Sequence, residues 1–153
     1  MSETQSSNLT DRWLVCLQAH GYRLTPSRQA VVEAIASSPH ALNPLEVFEL
    51  ARKRYPKLGL VTVYRTVEKL EELDLIQRLH QPAGCNAFVP NSSGHQHILV
   101  CQACGRVEFF SGENDQIDLL MTVVGQASGY RVKDHWLQLF GVCGNCQQIP
   151  SVT

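Results

Sequence analysis

Two Cys-x-x-Cys pairs, Cys101-Gln102-Ala103-Cys104 and Cys143-Gly144-Asn145-Cys146, constrain this chain more than any other feature of its 153 residues. A two-residue spacer lets both thiolates of a pair face one point, and four thiolates close a tetrahedral Zn²⁺ site with no open position, which is a structural role. Gly105 and Gly144 beside the pairs permit tight knuckle turns. The 38 residues between the pairs are too many for a simple zinc ribbon, so strands and a helix must fold between them and carry the knuckles together. A thiol oxidoreductase is the competing reading, but that chemistry wants one such pair at a helix start in a βαβ context.

The rest of the sequence sets that site in a two-part chain. With 44% hydrophobic and 18% charged residues it reads as globular. No apolar run is long enough to span a membrane, and Met1–Thr10 lacks the basic start and apolar stretch of a signal peptide, so cytoplasmic residence is expected. Reduced thiols in that compartment favour metal over disulfides. The net charge of −1 is nearly balanced, and residues 1–90 carry ten Lys/Arg against nine Asp/Glu, so any nucleic-acid contact must come from locally placed basic groups.

The first ten residues are polar and are expected to fray. A helix is expected from about Leu9 to His20, stopped by Gly21. Thr25-Pro26 supplies an N-cap and an N1 proline for a second helix, and Asn43-Pro44-Leu45-Glu46 has the form of a capping box for a third. In a fourth, from about Val61 to Leu73, Leu60, Val63, Val67 and Leu70 fall within roughly 80° of one another at 100° per residue. Leu75–His80 and Asn86–Val89, separated by Pro82-Ala83-Gly84, read as a hairpin. Helices followed by a hairpin make a winged helix. The fold class expected is α+β: a winged helix-turn-helix domain over 1–90, then a small α/β domain over 91–153 carrying the four-cysteine site. In the latter the pattern predicts strands over 95–100 and 106–110, a helix over 114–127 and a strand over 130–140.

At the start of the fourth helix, Thr62, Tyr64 and Arg65 are offered to a major groove, where arginine bridges guanine O6 and N7 and an aromatic ring packs on a thymine methyl. The plainer alternative is an amphipathic helix with a solvated charged face.

Three segments in order, Gly21-Tyr22-Arg23-Leu24-Thr25-Pro26-Ser27-Arg28, Thr62-Val63-Tyr64-Arg65-Thr66, and a histidine-bearing strand running into Cys101-x-x-Cys104-Gly105, resemble the ferric uptake regulator (Fur) family across nearly the whole chain. The resemblance implies a metal-responsive repressor of metal-uptake genes, not an enzyme. It implies a homodimer, formed through the C-terminal domain, on a palindromic double-stranded operator, with no membrane partner and no small organic substrate. By the same resemblance Arg23 reaches the adjacent minor groove and Lys69 contacts phosphate.

The family's run of four histidines before Leu-Val-Cys is here His95-Gln96-His97-Ile98, so the first and third remain. Strand alternation puts His95 and His97 on one face. The family pattern adds Asp118 and His135, giving a regulatory set of His95, His97, Asp118 and His135. His80 and Cys85 of the wing and Glu108 of the next strand are further candidates. Imidazoles and carboxylate accept Zn²⁺, Fe²⁺ or Mn²⁺, and a Cys85 thiolate tilts the choice to Zn²⁺. Iron- and peroxide-responsive regulators share every motif. A thiol-dependent enzyme would have to use Cys85 or Cys16 as nucleophile.

Overall fold

The computed structural model describes residues 2–80, 86–91, 96–111 and 115–148, with backbone alone for 2–7, 80 and 115. The chain divides into two compact units, Met1–Asn91 and Ser92–Thr153.

In the first unit, α1 spans Ser2–Ala19, seven residues earlier than the polar composition suggested. Once Trp13 and Leu17 are buried and the helix is nucleated, each added residue gains one backbone hydrogen bond at little further entropic cost, so polar residues propagate it. Gly21 ends it at φ +83°, with Gly21 N–H donating to the Gln18 carbonyl at 3.0 Å and Tyr22 N–H to Leu17 at 3.0 Å. That pair is a Schellman cap, and it needs a residue without a Cβ penalty. α2 (Pro26–Ala36) starts at Thr25, whose hydroxyl accepts from the Arg28 amide at 3.3 Å. The Asn43 capping box of α3 (Pro44–Arg54) is complete: Asn43 Oδ1 accepts from the Leu45 and Glu46 amides at 3.0 Å, and the Glu46 carboxylate accepts from the Asn43 amide at 2.8 Å.

α4 (Leu60–Glu72) buries Val63, Val67 and Leu70, as its spacing demands, together with Thr66, whose hydroxyl donates to the Thr62 carbonyl at 2.7 Å. β1 (Ile76–His80) and β2 (Asn86–Pro90) pair antiparallel with His80 opposite Asn86; the turn residues Pro82-Ala83-Gly84 lie outside the described residues. Phe88 and Leu42 exchange both backbone hydrogen bonds (2.8 and 3.1 Å), so the α2–α3 connection covers the outer edge of β2. Leu17, Val31, Ile35, Val47, Leu70 and Phe88 are central to one core.

In the second unit the sheet order is β4–β3–β5. β3 (Gln96–Cys101) runs antiparallel to β4 (Val107–Ser111) and parallel to β5 (Gln138–Gly141). A parallel pair requires a crossover, which α5 (Asp115–Ser128) begins. Residues 130–137 alternate like a strand yet carry no ladder. The parallel register begins at Ile98 and Gln138; just before it the Ile98 amide donates to the Leu137 carbonyl at 3.4 Å, and the ladder goes no further back although β3 itself starts at Gln96. A four-residue helix, α6 (Gly144–Gln147), starts at Cys143. No helix among the described residues is long and apolar enough to cross a membrane.

Candidate metal centre and nucleic-acid interface

The β3–β5 register explains the thiolate site. Cys101 lies opposite Gly141, and the Gln102 amide donates to the Gly141 carbonyl at 2.7 Å, so the turns that follow the two strands emerge at the same end of the sheet. The Gly105 amide closes the first knuckle on the Cys101 carbonyl at 2.9 Å, and the Gln147 amide closes the second on Cys143 at 3.0 Å. Cys101, Cys104, Cys143 and Cys146 present sulfurs that all lie within 4.8 Å of one another. Cys104 and Cys143 sulfurs are 3.9 Å apart, far beyond a disulfide bond and close to the roughly 3.8 Å edge of a tetrahedron with 2.3 Å zinc–sulfur bonds.

The electrostatics fit the same use. The Cys143 amide, 3.3 Å from the Cys101 sulfur, and the Cys104 amide stabilise a Cys101 thiolate and bring its pKa down to about 6. Cys146 moves the other way, to about 12, because hydrogen bonding with the Cys143 and Cys104 sulfurs, then desolvation, favours its protonated thiol. One thiolate is prepared while Cys146 resists ionising beside it, so a cation is what would draw the last proton off the cluster. The cluster fits a structural zinc.

Among the described residues no other group of three or more potential ligands converges this closely. His97 is buried in β3, with its ring 5.1 Å from His135 and 5.3 Å from Phe110. The structure therefore brings two members of the regulatory set together. Asp118 is exposed on α5, one turn before Met121, and the two border an open cavity of about 580 Å³ between α5 and residues 129–132. Glu108 is exposed on β4 and pairs with Arg106 at 3.3 Å. His80 ends β1; Cys85 and His95 lie outside the described residues. Sequence reasoning missed Met121, whose sulfur is 3.0 Å from His135 Nδ1.

On the first unit, Tyr64 and Arg65 are exposed on the outer face of α4, and Thr62 is half-buried. Tyr64 and Arg65, with Leu45, Val61 and Arg78, border a groove of about 620 Å³ between α3, α4 and the hairpin. Arg78 is bound by both its Nε and Nη2 to Glu71, with Nη2 at 2.8 Å, and lies 5.1 Å over the Phe88 ring, fastening the wing to α4.

Arg23 is exposed on the α1–α2 connection, and its carbonyl accepts from the Arg28 guanidinium. The Tyr22 ring is approached by two cations, Arg28 at 5.9 Å and Lys69 at 5.7 Å. Lys69 also binds both Glu72 oxygens at 3.0 Å, which raises its pKa, so its charge is already answered within the unit. The sequence pattern, which marked Lys69 for phosphate, contains no sign of that pairing.

A winged helix whose recognition-helix face is open, carried on one chain with a thiolate-stapled α/β unit, defines a metal-responsive transcriptional regulator. The profile of the Ferric uptake regulator family matches residues 19–140. The "Ferric uptake regulation protein" of Bacillus subtilis is 31% identical over 143 residues, covering 91% of this chain and 95% of its own. Among solved structures, the Helicobacter pylori ferric uptake regulator Fur superposes with a TM-score of 0.69 at 20% identity, over 95% and 96% of the two chains. A "Zinc Uptake Regulator Complexed With Zinc AND DNA" gives 0.65 at 21%, over 95% and 97%. The chain belongs to the ferric uptake regulator family.

Proposed function

We propose that this chain is a cytoplasmic DNA-binding repressor of metal-uptake genes that acts as a homodimer and senses Zn²⁺. The observation that carries the reading is the exposed Tyr64–Arg65 face of α4 in a chain that also holds a four-thiolate cluster. Residues 1–90 act as the DNA-binding part. Thr62, Tyr64 and Arg65 read the major groove, Arg23 enters the minor groove, and Lys69 reaches phosphate by giving up Glu72.

Residues 91–153 act as the dimerisation and metal-binding part. Leu119, Leu120, Val123 and Val124 of α5 are each about half exposed or more, an apolar stripe that a second copy covers. A two-fold dimer then matches a palindromic operator.

Cys101, Cys104, Cys143 and Cys146 hold the structural zinc. His97 and His135, with His95 and Asp118, hold the regulatory metal, and His80, Cys85 and Glu108 complete the candidates. A bound divalent ion supplies positive charge that gathers donors from separate elements. The imidazoles and the Cys85 thiolate suit Zn²⁺ better than Mn²⁺. The name of the Bacillus subtilis relative supports a second reading, an iron-responsive regulator.

One titration separates the two. Protein loaded only at the cysteine cluster is mixed with a labelled promoter duplex and given Zn²⁺, Mn²⁺ or, without oxygen, Fe²⁺, and binding is followed by fluorescence anisotropy. Binding restored by Zn²⁺ at the lowest free concentration, and lost in His97→Ala, is the expected result. Restoration by Fe²⁺ alone sinks the zinc assignment, and an unaltered His97→Ala response sinks the site.

A further inference from the structure

A histidine binds a metal as the neutral imidazole, which has one N–H and one lone pair. The nitrogen that meets the metal is decided by the hydrogen bond the other one makes. In histidine metal sites that second partner is ordinarily a carboxylate, a backbone carbonyl or water. Here the atom against Nδ1 is the Met121 thioether sulfur, at 3.0 Å in a half-buried contact. A thioether has no proton to give, so the contact is favourable only when Nδ1 carries the hydrogen. The His135 amide donates to the Asp134 carboxylate at 2.8 Å, and the ring lies 5.1 Å from that of His97.

We propose that Met121 is a positioning residue of the regulatory metal site: its sulfur accepts the His135 Nδ1 hydrogen and thereby assigns Nε2 to the metal. The inference rests on the reading of His135 as a regulatory ligand. Sulfur is a weak acceptor, so it fixes the tautomer while drawing less electron density into the ring than a carboxylate does, which keeps the site's affinity moderate. Met121 also follows Asp118 by one turn, so one face of α5 presents both a candidate ligand and the residue that orients another.

The test uses the full-length protein with its cysteine cluster zinc-loaded, and begins without regulatory metal. Long-range ¹⁵N–¹H spectra of the histidine rings at mildly alkaline pH report which nitrogen of His135 is protonated. The parent is expected to show Nδ1–H, Met121→Leu to shift toward Nε2–H, and Met121→Gln, which restores an acceptor, to recover Nδ1–H. Zn²⁺ affinity by competition with a chromophoric chelator is expected to weaken about tenfold in Met121→Leu and to recover in Met121→Gln. Weakened affinity with an unchanged tautomer, or an unchanged affinity and tautomer, overturns the role of Met121. His135→Ala separates the premise: if it takes up the regulatory metal like the parent, the ligand reading fails, whatever Met121 does to the ring.

Discussion

Replacing Tyr22 with leucine tests whether the loop that presents Arg23 is fastened to the recognition helix. Leucine keeps apolar bulk and removes the ring that the Arg28 and Lys69 cations approach at 5.9 and 5.7 Å. Both distances are near the outer limit for cation–π attraction and both groups are partly wet, so each contact contributes about 0.5 kcal/mol. The Tyr22 hydroxyl is 3.5 Å from Glu72 and adds little. The expected loss is about 1 kcal/mol, which lowers the melting temperature of a unit of this size by roughly 4–8 °C. For DNA binding the consequence is larger than the contact energy. A freed residue at Arg23 must be ordered again on the duplex, at about 1–2 kcal/mol, so operator affinity at fixed salt is expected to fall roughly 5- to 30-fold. Tyr22→Phe should behave as the parent, because the cations sit against the ring and not the hydroxyl. Circular-dichroism melts and anisotropy titrations provide both numbers. If Tyr22→Leu melts lower yet binds operator normally while Arg23→Ala binds poorly, the latch is structural only and the coupling argument is wrong.

Cys143→Ser should leave less than one zinc per chain and a loosened second unit, while the first unit keeps its melting transition; undiminished zinc content by atomic absorption would contradict the four-thiolate assignment. Because Cys146 must give up a proton whose pKa stands near 12, zinc affinity should rise with pH, and a chelator-competition series showing no pH slope would count against it. Arg65→Ala should weaken operator binding by about 1–3 kcal/mol and relax preference at one base pair, which an anisotropy panel of single-base operator variants would detect. Gly125→Ala would place a Cβ 2.9 Å from the Tyr130 carbonyl oxygen, backbone that cannot rotate away, so destabilisation of about 1–3 kcal/mol is expected; a wild-type melt would show that this approach relaxes freely.

The parts of the fold that could be read from sequence are those whose causes are local. Thr25-Pro26, the Asn43–Glu46 box and the Gly21 stop each act within one helical turn, and the α4 stripe needs only its own period. Alternation at 130–137 specifies a pleat but not a partner, so of the strand expected over 130–140 only the end that pairs with β3 is a ladder. α6 was missed because four residues are too few to show a period. The four cysteines announce themselves through spacing alone. Met121 does not, since on α5 it looks like one more apolar residue, and only the position of His135, fourteen residues away, gives its sulfur a task. Lys69 and Arg78 likewise look like free surface cations until Glu72 and Glu71 are found beside them.

The parallel pairing of β3 with β5 means that a metal at the cysteine cluster closes a ring of chain, and α5, Met121 and His135 all lie on that ring. The first unit has its own core and is finished by Asn91, so during synthesis it folds before the second pair of cysteines has been made. The ring can be fastened only after Cys146 emerges, and then only if zinc is at hand. A chain made during severe zinc shortage would thus carry a formed reading head on an unfastened tail. Metal arriving at the cluster would then fasten α5 and β5 to β3 in a single closure of that ring.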